Sequence, residues 1–211
     1  MTNPTDVARD LLELGAATLG ESGGKPMAAR IKAVWAGARL AAPAFPVRCT
    51  PGDNLAVHVG VTRAPAGAVL VVDVGDVREL GYWGEVLTTG AEARGLAGLV
   101  IDGCVRDVDA LAHHGFPVFS TGIALPGATK NAPGAIGTPR VIGGVDVHPG
   151  DWVVGDTDGV TVIPADALEA VIAAGRERAT KEQGFFAALK DGKTTIELLD
   201  LDPSLIDDQS S

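Results

Sequence analysis

The stretch GAVLVVDVG (67–75), followed by a Gly-flanked turn, a helical segment at 85–94 and then AGLVIDG (97–103), decides the fold. Both apolar runs are short, uninterrupted and rich in Val, Leu and Ile, the pattern of strands covered on both faces. Gly95 closes the helical segment between them. A short helix from Asp107 to His114, ended by Gly115, follows the second run, and FPVFS (116–120) supplies the next strand. The resulting β-α-β-α-β alternation predicts an α/β domain with parallel neighbouring strands.

Working outward, residues 5–15 place Val7, Leu11, Leu12 and Leu14 near a helical period, with Gly15 as a stop signal. The segment from Ile31 to Cys49 reads as extended chain at a sheet edge, because Pro43 and Pro46 cannot donate to a central ladder. Thr50, Pro51 and Asp53 precede an apolar run and mark a helix start. Residues 122–138 read as a long loop. RVIGGVDV, DWVVGD and GVTVIP, joined by Pro-Gly and Asp-Gly turns, read as a meander. The C-terminal helices span about 165–190, one to about Gln183 and a shorter piece to Leu189, and an acidic tail occupies 200–211. With no internal repeat and no long linker, residues 1–211 are expected to form a single domain.

A chain of 211 residues, 46% of them apolar, can bury roughly 70% of its unfolded surface. Only nine residues are aromatic, so aliphatic side chains must build the core. The formal charge of -10 opposes binding to phosphate backbones and anionic lipid. Arg176, Arg178 and Lys181 are interleaved with Glu177 and Glu182, which describes a solvated helix face. Nucleic-acid binding is therefore disfavoured. The N-terminal stretch MTNPTDVARDLLELG has acids where a secretory leader would be basic, and Asp, Glu, Gly or Pro interrupts every hydrophobic run, so a cytoplasmic protein without membrane contact is expected. Cys49 and Cys104 form no metal or disulfide pattern and are expected to be buried.

Two constellations carry chemistry. In GYWGEVL (81–87) a Gly-rich turn opens a helix at Glu85, whose free N–H groups suit a carboxylate or phosphate, although the same glycines could serve the turn alone. In IDGCVRD (101–107) Arg106 and Asp107 emerge beyond the end of a covered strand, where α/β sheets place ligands. Arg is a fixed fork for an oxo acid, and Asp is a hard ligand for Mg²⁺ or Mn²⁺. A helix cap for Asp107 and a salt bridge for Arg106 are the bland alternatives. His113 and His114 read as partners of a helix C-terminus, and His58 and His148 as isolated. DTDG (156–159) reads as a turn rather than a calcium loop, and phosphate-loop, dinucleotide and Ser-hydrolase motifs are absent.

Taken with FPVFSTGIALPGATK (116–130) and PGDWVVGDTDGVTVIP (149–164), the segment 81–107 resembles the class II pyruvate aldolases that cleave 4-hydroxy-4-methyl-2-oxoglutarate and 4-carboxy-4-hydroxy-2-oxoadipate. That family also contains regulators of ribonuclease activity. The resemblance runs from about Gly67 to Pro164 and includes an acid, twenty intervening residues and then Arg-Asp, here Glu85 and Arg106-Asp107. It implies a layered α/β/α sandwich of the swivelling type with a mixed sheet, assembled as a homotrimer or hexamer with sites between subunits. By the same resemblance Asp107 would bind a divalent metal, Mg²⁺ or Mn²⁺, and Arg106 would contact the keto oxygen of the pyruvyl group. Gly84, Val86 and Leu87 would hold the pyruvyl carboxylate, Lys130 would lie near the site, and Glu182 would reach the site of a neighbouring subunit. The family acid is usually Asp, so Glu85 is one methylene longer, and Ala110 stands where some members have a further acid.

The expected reaction is cleavage of a 4-hydroxy-2-oxo acid to pyruvate and a second oxo acid, with oxaloacetate decarboxylation as a side activity. Metal and Arg106 would stabilise the enolate, Glu182 or a base at the metal would take the hydroxyl proton, and water near Glu85 would protonate the enolate. A Schiff base is not favoured, because none of the six lysines lies in an apolar strand. A non-catalytic regulator on the same scaffold is the alternative, as is a lyase or hydratase for another oxo acid.

Overall fold

The computed structural model describes residues 3–206. In chain order the first elements are α1 (Pro4–Glu21), β1 (Lys25–Pro26), β2 (Lys32–Ala33), β3 (Leu40–Arg48), α2 (Leu55–Arg63) and β4 (Val69–Asp73). Next come α3 (Glu85–Ala93), β5 (Gly98–Asp102), β6 (Cys104–Val105), α4 (Val108–His114), β7 (Val118–Ser120) and β8 (Gly122–Ile123). The chain continues through β9 (Ala135–Ile136), β10 (Arg140–Ile142), β11 (Val145–Val147), β12 (Trp152–Gly155) and β13 (Val160–Ile163) to α5 (Leu168–Lys190) and α6 (Thr195–Leu199).

The main sheet has the order β1-β13-β12-β3-β4-β5-β7-β2, with β9 against β3. Strands β3, β4, β5 and β7 run parallel, and β12, β13, β1, β2 and β9 join antiparallel, so the sheet is mixed. Side-chain alternation decides the layers. Leu70 and Val72 of β4 and Leu99 and Ile101 of β5 face a core shared with Val57, Leu87 and Leu111 of α2, α3 and α4. Val69, Val71 and Val100 face the other way and meet Val153, Val160 and Val162 of β12 and β13 together with Ile142 and Val147. Trp152, Val154 and Ile163 point out again, onto Val7 and Leu11 of α1 and Val171 and Ile172 of α5. The sheet therefore curls so that one face packs on itself, and helices cover its two outer sides. This is the expected layered α/β/α architecture with a mixed sheet.

Four local expectations need correction. First, α1 does not end at Gly15. That residue takes φ 78° and kinks the helix, and the Asp156 carboxylate accepts the Ala16 N–H at 2.8 Å, so the helix restarts and runs to Glu21. Second, β3 is a central strand despite its prolines. Ala44 N–H donates to Asp151 O on the β12 side, so alternation turns the Pro46 nitrogen to that side and the Pro43 nitrogen to the β4 side. Pairing with β12 ends at Pro43, pairing with β9 begins at Val47 and pairing with β4 begins at Ala44. Each proline thus sits where its ladder would have no partner, and no donor is missed.

Third, the meander divides. β10 and β11 form a separate two-stranded hairpin that plugs the curled face, while β12 and β13 join the main sheet. Fourth, the C-terminal helix continues unbroken to Lys190. Arg176 and Arg178 on α5 pair with Asp10 and Glu21 of α1, and Arg178 also reaches Glu182 at 2.9 Å. Of the acidic tail, Asp207 and Asp208 lie outside the described residues. Among the described residues no helix is long and apolar enough to cross a membrane.

Candidate active site

The carboxyl ends of β4 and β5 open into two loops that are laced together. Tyr82 N–H donates to Cys104 O at 3.1 Å, Arg106 N–H to Trp83 O at 2.8 Å and Gly81 N–H to Pro126 O at 2.8 Å. Two buried aromatic residues anchor this seam. Trp83 stacks on Phe116 with ring centroids 6.0 Å apart and donates its indole N–H to Thr88 Oγ1, and Tyr82 hydroxyl receives the Gly52 N–H and donates to Val77 O.

The two glycines of the turn are required by close approach rather than by a special φ. Gly84 is fully extended, and a Cβ built on it would stand 2.3 Å from Asp107 Oδ2 and 3.2 Å from Arg106 Cγ. A Cβ on Gly81 would meet Ala124 O at 2.8 Å and Arg106 Cδ at 3.0 Å. The glycine backbone is therefore the wall against which the Arg-Asp pair lies. Asp107 itself has φ 59° and ψ 38°, a left-handed conformation that costs an ordinary L residue about 1–2 kcal/mol and that Asp tolerates better than most. It occupies the cap position of α4 but its side chain caps nothing there; Oδ2 instead accepts the Glu85 N–H at 3.1 Å and lies 3.6 Å from Arg106 Nε.

Those contacts leave one end of a cleft of about 190 Å³ bounded by charged and polar groups. Arg106, Asp107, Gly84, Val86, Leu87 and Lys130 all line it. The first N–H groups of a helix have no intrahelical partner. At α3 the cap residue Gly84 offers no side chain, and Asp107 takes the Glu85 N–H, so Val86 and Leu87 bring the remaining donors to the cleft. The arrangement can hold an anion at the helix terminus and a cation at Asp107, with the Arg106 side chain beside Asp107.

Lys130 reaches the cleft through a loop held by one carboxylate. Buried Asp53 accepts Leu55 N–H through Oδ1, and through Oδ2 the Thr129 hydroxyl and the Asn131 and Ala132 N–H groups, at 2.6–3.1 Å. Burial pushes the Asp53 pKa up, but these four donors outweigh it and hold the carboxyl below its ordinary value. Its stabilising effect is complete above the ordinary carboxylate range and is lost as pH falls through the depressed folded value.

The Glu85 side chain, expected at the site, lies elsewhere. The Glu85 carboxylate does not line the cleft and stands 3.6 Å from His114 Nε2, whose Nδ1 is 2.8 Å from Glu92 Oε2. His114 thus has carboxylate partners on α3. Glu182 pairs with Arg178 on α5 and is not part of the cleft of its own chain. Conversely, His58, which reads as isolated in the sequence, and Asn54, which carried no expectation, also line the cleft from the start of α2. Their spacing of four residues after a helix-start signal was the only available sign. Cys49 and Cys104 are buried as expected, and burial pushes the Cys49 thiol up to about 12. A larger groove, about 360 Å³, lies between α1 and β13, but its Lys32 ammonium is bound to Asp158 O and its Glu21 to Arg178.

The fold and cleft define an α/β protein in which Arg106, Asp107 and an open helix N-terminus line one cleft at the ends of its parallel strands. A family model described as RraA-like (Aldolase/RraA) matches residues 9–162, and the chain belongs to that family. It is 34% identical over 158 residues to a Halalkalibacterium halodurans protein provisionally named a 4-hydroxy-4-methyl-2-oxoglutarate aldolase, covering 75% of each chain. Among solved structures it is similar to an uncharacterized protein from Pseudomonas syringae pv. tomato, with TM-score 0.81, 29% identity, and 90% and 91% of the two chains covered. It also resembles the RNA-processing inhibitor RraA from Thermus thermophilis, with TM-score 0.64, 27% identity, and 71% and 92% covered.

Replacing Gly84 by Ala is expected to force the Asp107 carboxylate out of place while the remote core is unaffected. Cleft function should fall by at least about 100-fold, as expected when positioning is lost, with the thermal unfolding midpoint shifted only slightly; kinetics and circular dichroism on the same preparation check this.

Proposed function

We propose that this chain is a divalent-metal-dependent lyase that cleaves a 4-hydroxy-2-oxo acid, of the 4-hydroxy-4-methyl-2-oxoglutarate or 4-carboxy-4-hydroxy-2-oxoadipate type, to pyruvate and a second oxo acid. Decarboxylation of oxaloacetate, which leads to the same enolate, is a side activity. The observation that carries the reading is the Arg106-Asp107 pair beside the open N-terminus of α3 in one cleft.

The donor set suits Mg²⁺ or Mn²⁺. Asp107 is partly exposed, and among the described residues nothing hydrogen-bonds its Oδ1, which leaves one hard oxygen for a cation. No group of three or more His, Cys, Asp or Glu residues lies close enough to form a protein cage among the described residues, so water and substrate oxygens would complete the shell, as is usual for Mg²⁺. Such an ion supplies Lewis-acid withdrawal of charge from the 2-oxo oxygen.

The chain's own groups do the rest. Val86 and Leu87 N–H groups and the α3 dipole hold the pyruvyl carboxylate. Arg106 donates to the 2-oxo oxygen and stabilises the negative charge that gathers there as the C3–C4 bond breaks. Lys130 adds positive charge to the cleft. Glu85, with its carboxylate outside the cleft lining, acts on C3 of the enolate only through intervening water. Glu182 takes part only from a second copy, in a homotrimer or hexamer whose sites lie between subunits. Similarity to an RNA-processing inhibitor favours one other reading, a regulator that binds its partner through the surface of this scaffold.

A lactate dehydrogenase-coupled assay separates the two. Pyruvate is expected from oxaloacetate and from 4-hydroxy-4-methyl-2-oxoglutarate only with Mg²⁺ or Mn²⁺ present. Arg106→Ala should lower kcat by about 100- to 1000-fold, the range for loss of one oxyanion donor, and Asp107→Asn should abolish the response to metal. Turnover without metal, or undiminished in both variants, contradicts the lyase; inactivity on every oxo acid leaves the regulator. For shared sites, mixing inactive Arg106→Ala with inactive Glu182→Ala chains should restore pyruvate release, and no recovery after exchange of subunits argues for self-contained sites.

A further inference from the structure

The first turn of α2 brings two polar residues to the cleft that the reaction above does not use. Asn54 stands at the N-cap position without a capping side-chain bond, and His58 follows four residues later, so both belong to one face. Asn54 is only 4% exposed, and its Nδ2 donates to Tyr82 O at 2.8 Å, but its buried Oδ1 has no hydrogen-bond partner. His58 Nε2 is likewise buried without a partner. Unpaired buried polar atoms are costly and rare, and two in residues that line one cleft point to a partner missing there.

The rest of the lining indicates which part of a ligand that partner is. Arg106 and the α3 N-terminus account for the carboxylate and 2-oxo oxygen of the pyruvyl half, which leaves the α2 wall and Lys130 for the remainder of the substrate. We propose that His58 is a further catalytic residue of the lyase reading above, on which this assignment rests: its Nε2 accepts the proton of the hydroxyl on the fourth carbon. With that proton transferred to Nε2, the O–H electron pair becomes the new C4 carbonyl, the C3–C4 pair becomes the enolate double bond, and negative charge settles on the 2-oxo oxygen beside Arg106. The imidazolium returns its proton to water after the second oxo acid leaves. Burial, and then the Lys130 charge, push the His58 pKa down against a weaker opposite pull from Asp53, so the ring is neutral and able to accept near pH 7.

This role divides the reaction, because hydrogen–deuterium exchange of the pyruvate methyl group needs only the pyruvyl end of the site. His58→Gln and His58→Asn, both no bulkier than imidazole, are measured with Mg²⁺ for methyl exchange by proton NMR in D₂O and for cleavage of 4-hydroxy-4-methyl-2-oxoglutarate. The expected result is a fall of about 100-fold or more in kcat for cleavage, the usual contribution of a general base, with exchange within about threefold of the unaltered protein. Cleavage at full rate in either folded variant, or cleavage and exchange falling together, overturns the proposal. Absence of exchange in the unaltered protein defeats the lyase reading itself, which distinguishes that failure from a failure of His58.

Discussion

The structure of the site depends on one close approach, the Gly84 backbone against the Asp107 carboxylate. A single added methyl group would stand 2.3 Å from Oδ2, inside any tolerable contact. Because the loop after β4 can come this near to the end of β5, the Glu85 N–H can donate to Asp107, the open turn of α3 meets Arg106, and a left-handed aspartate is held in place. Backbone strain of this sort persists where the surroundings over-determine it. Here the determinants are visible: the Arg106 N–H to Trp83 O bond, the Trp83–Phe116 stack, and the start of α4 immediately after Asp107.

Around that contact, an acidic chain places cationic groups where an anionic ligand would need them. With 27 acidic and 17 basic residues, general attraction for anions is absent, and affinity must come from local geometry. Arg106, Lys130 and a helix N-terminus converge on one cleft. Other basic residues are committed to neighbours: Arg30 and Arg78 hold the carboxylate of Asp102 at the end of β5, and Arg176 and Arg178 tie α5 to α1. Asp53 links the two scales. Its four hydrogen bonds carry the Lys130 loop to the start of α2, so that Lys130 and His58 share one support.

What the sequence disclosed, and what it hid, follows from the range of the interactions. The parallel strands around Val69–Asp73 and Gly98–Asp102 were legible because burial on both faces writes an uninterrupted apolar run into the chain. Arg106 and Asp107 were legible because strand ends position ligands in this class of sheet. The long-range determinants were not. No local rule says that Asp156, 140 residues away, restarts the helix after Gly15, or that each proline of β3 falls in a gap between partner strands. His58 read as isolated because the charged neighbour that acts on it from the cleft loop, Lys130, is distant in sequence. Glu85 followed the motif, yet its carboxylate lies beside His114, a residue 29 positions on, rather than in the cleft.

The account turns on whether Asp107 and the α3 terminus form one joint site for a cation and an oxo-acid anion. Calorimetric titration of Mn²⁺ into the protein, with and without oxalate as a planar mimic of the pyruvate enolate, tests this directly. Oxalate should tighten Mn²⁺ binding at least about tenfold, a coupling of about 1.4 kcal/mol, and Asp107→Asn should remove both the binding and the coupling. Equal Mn²⁺ affinity with and without oxalate, or undiminished binding in Asp107→Asn, would contradict it.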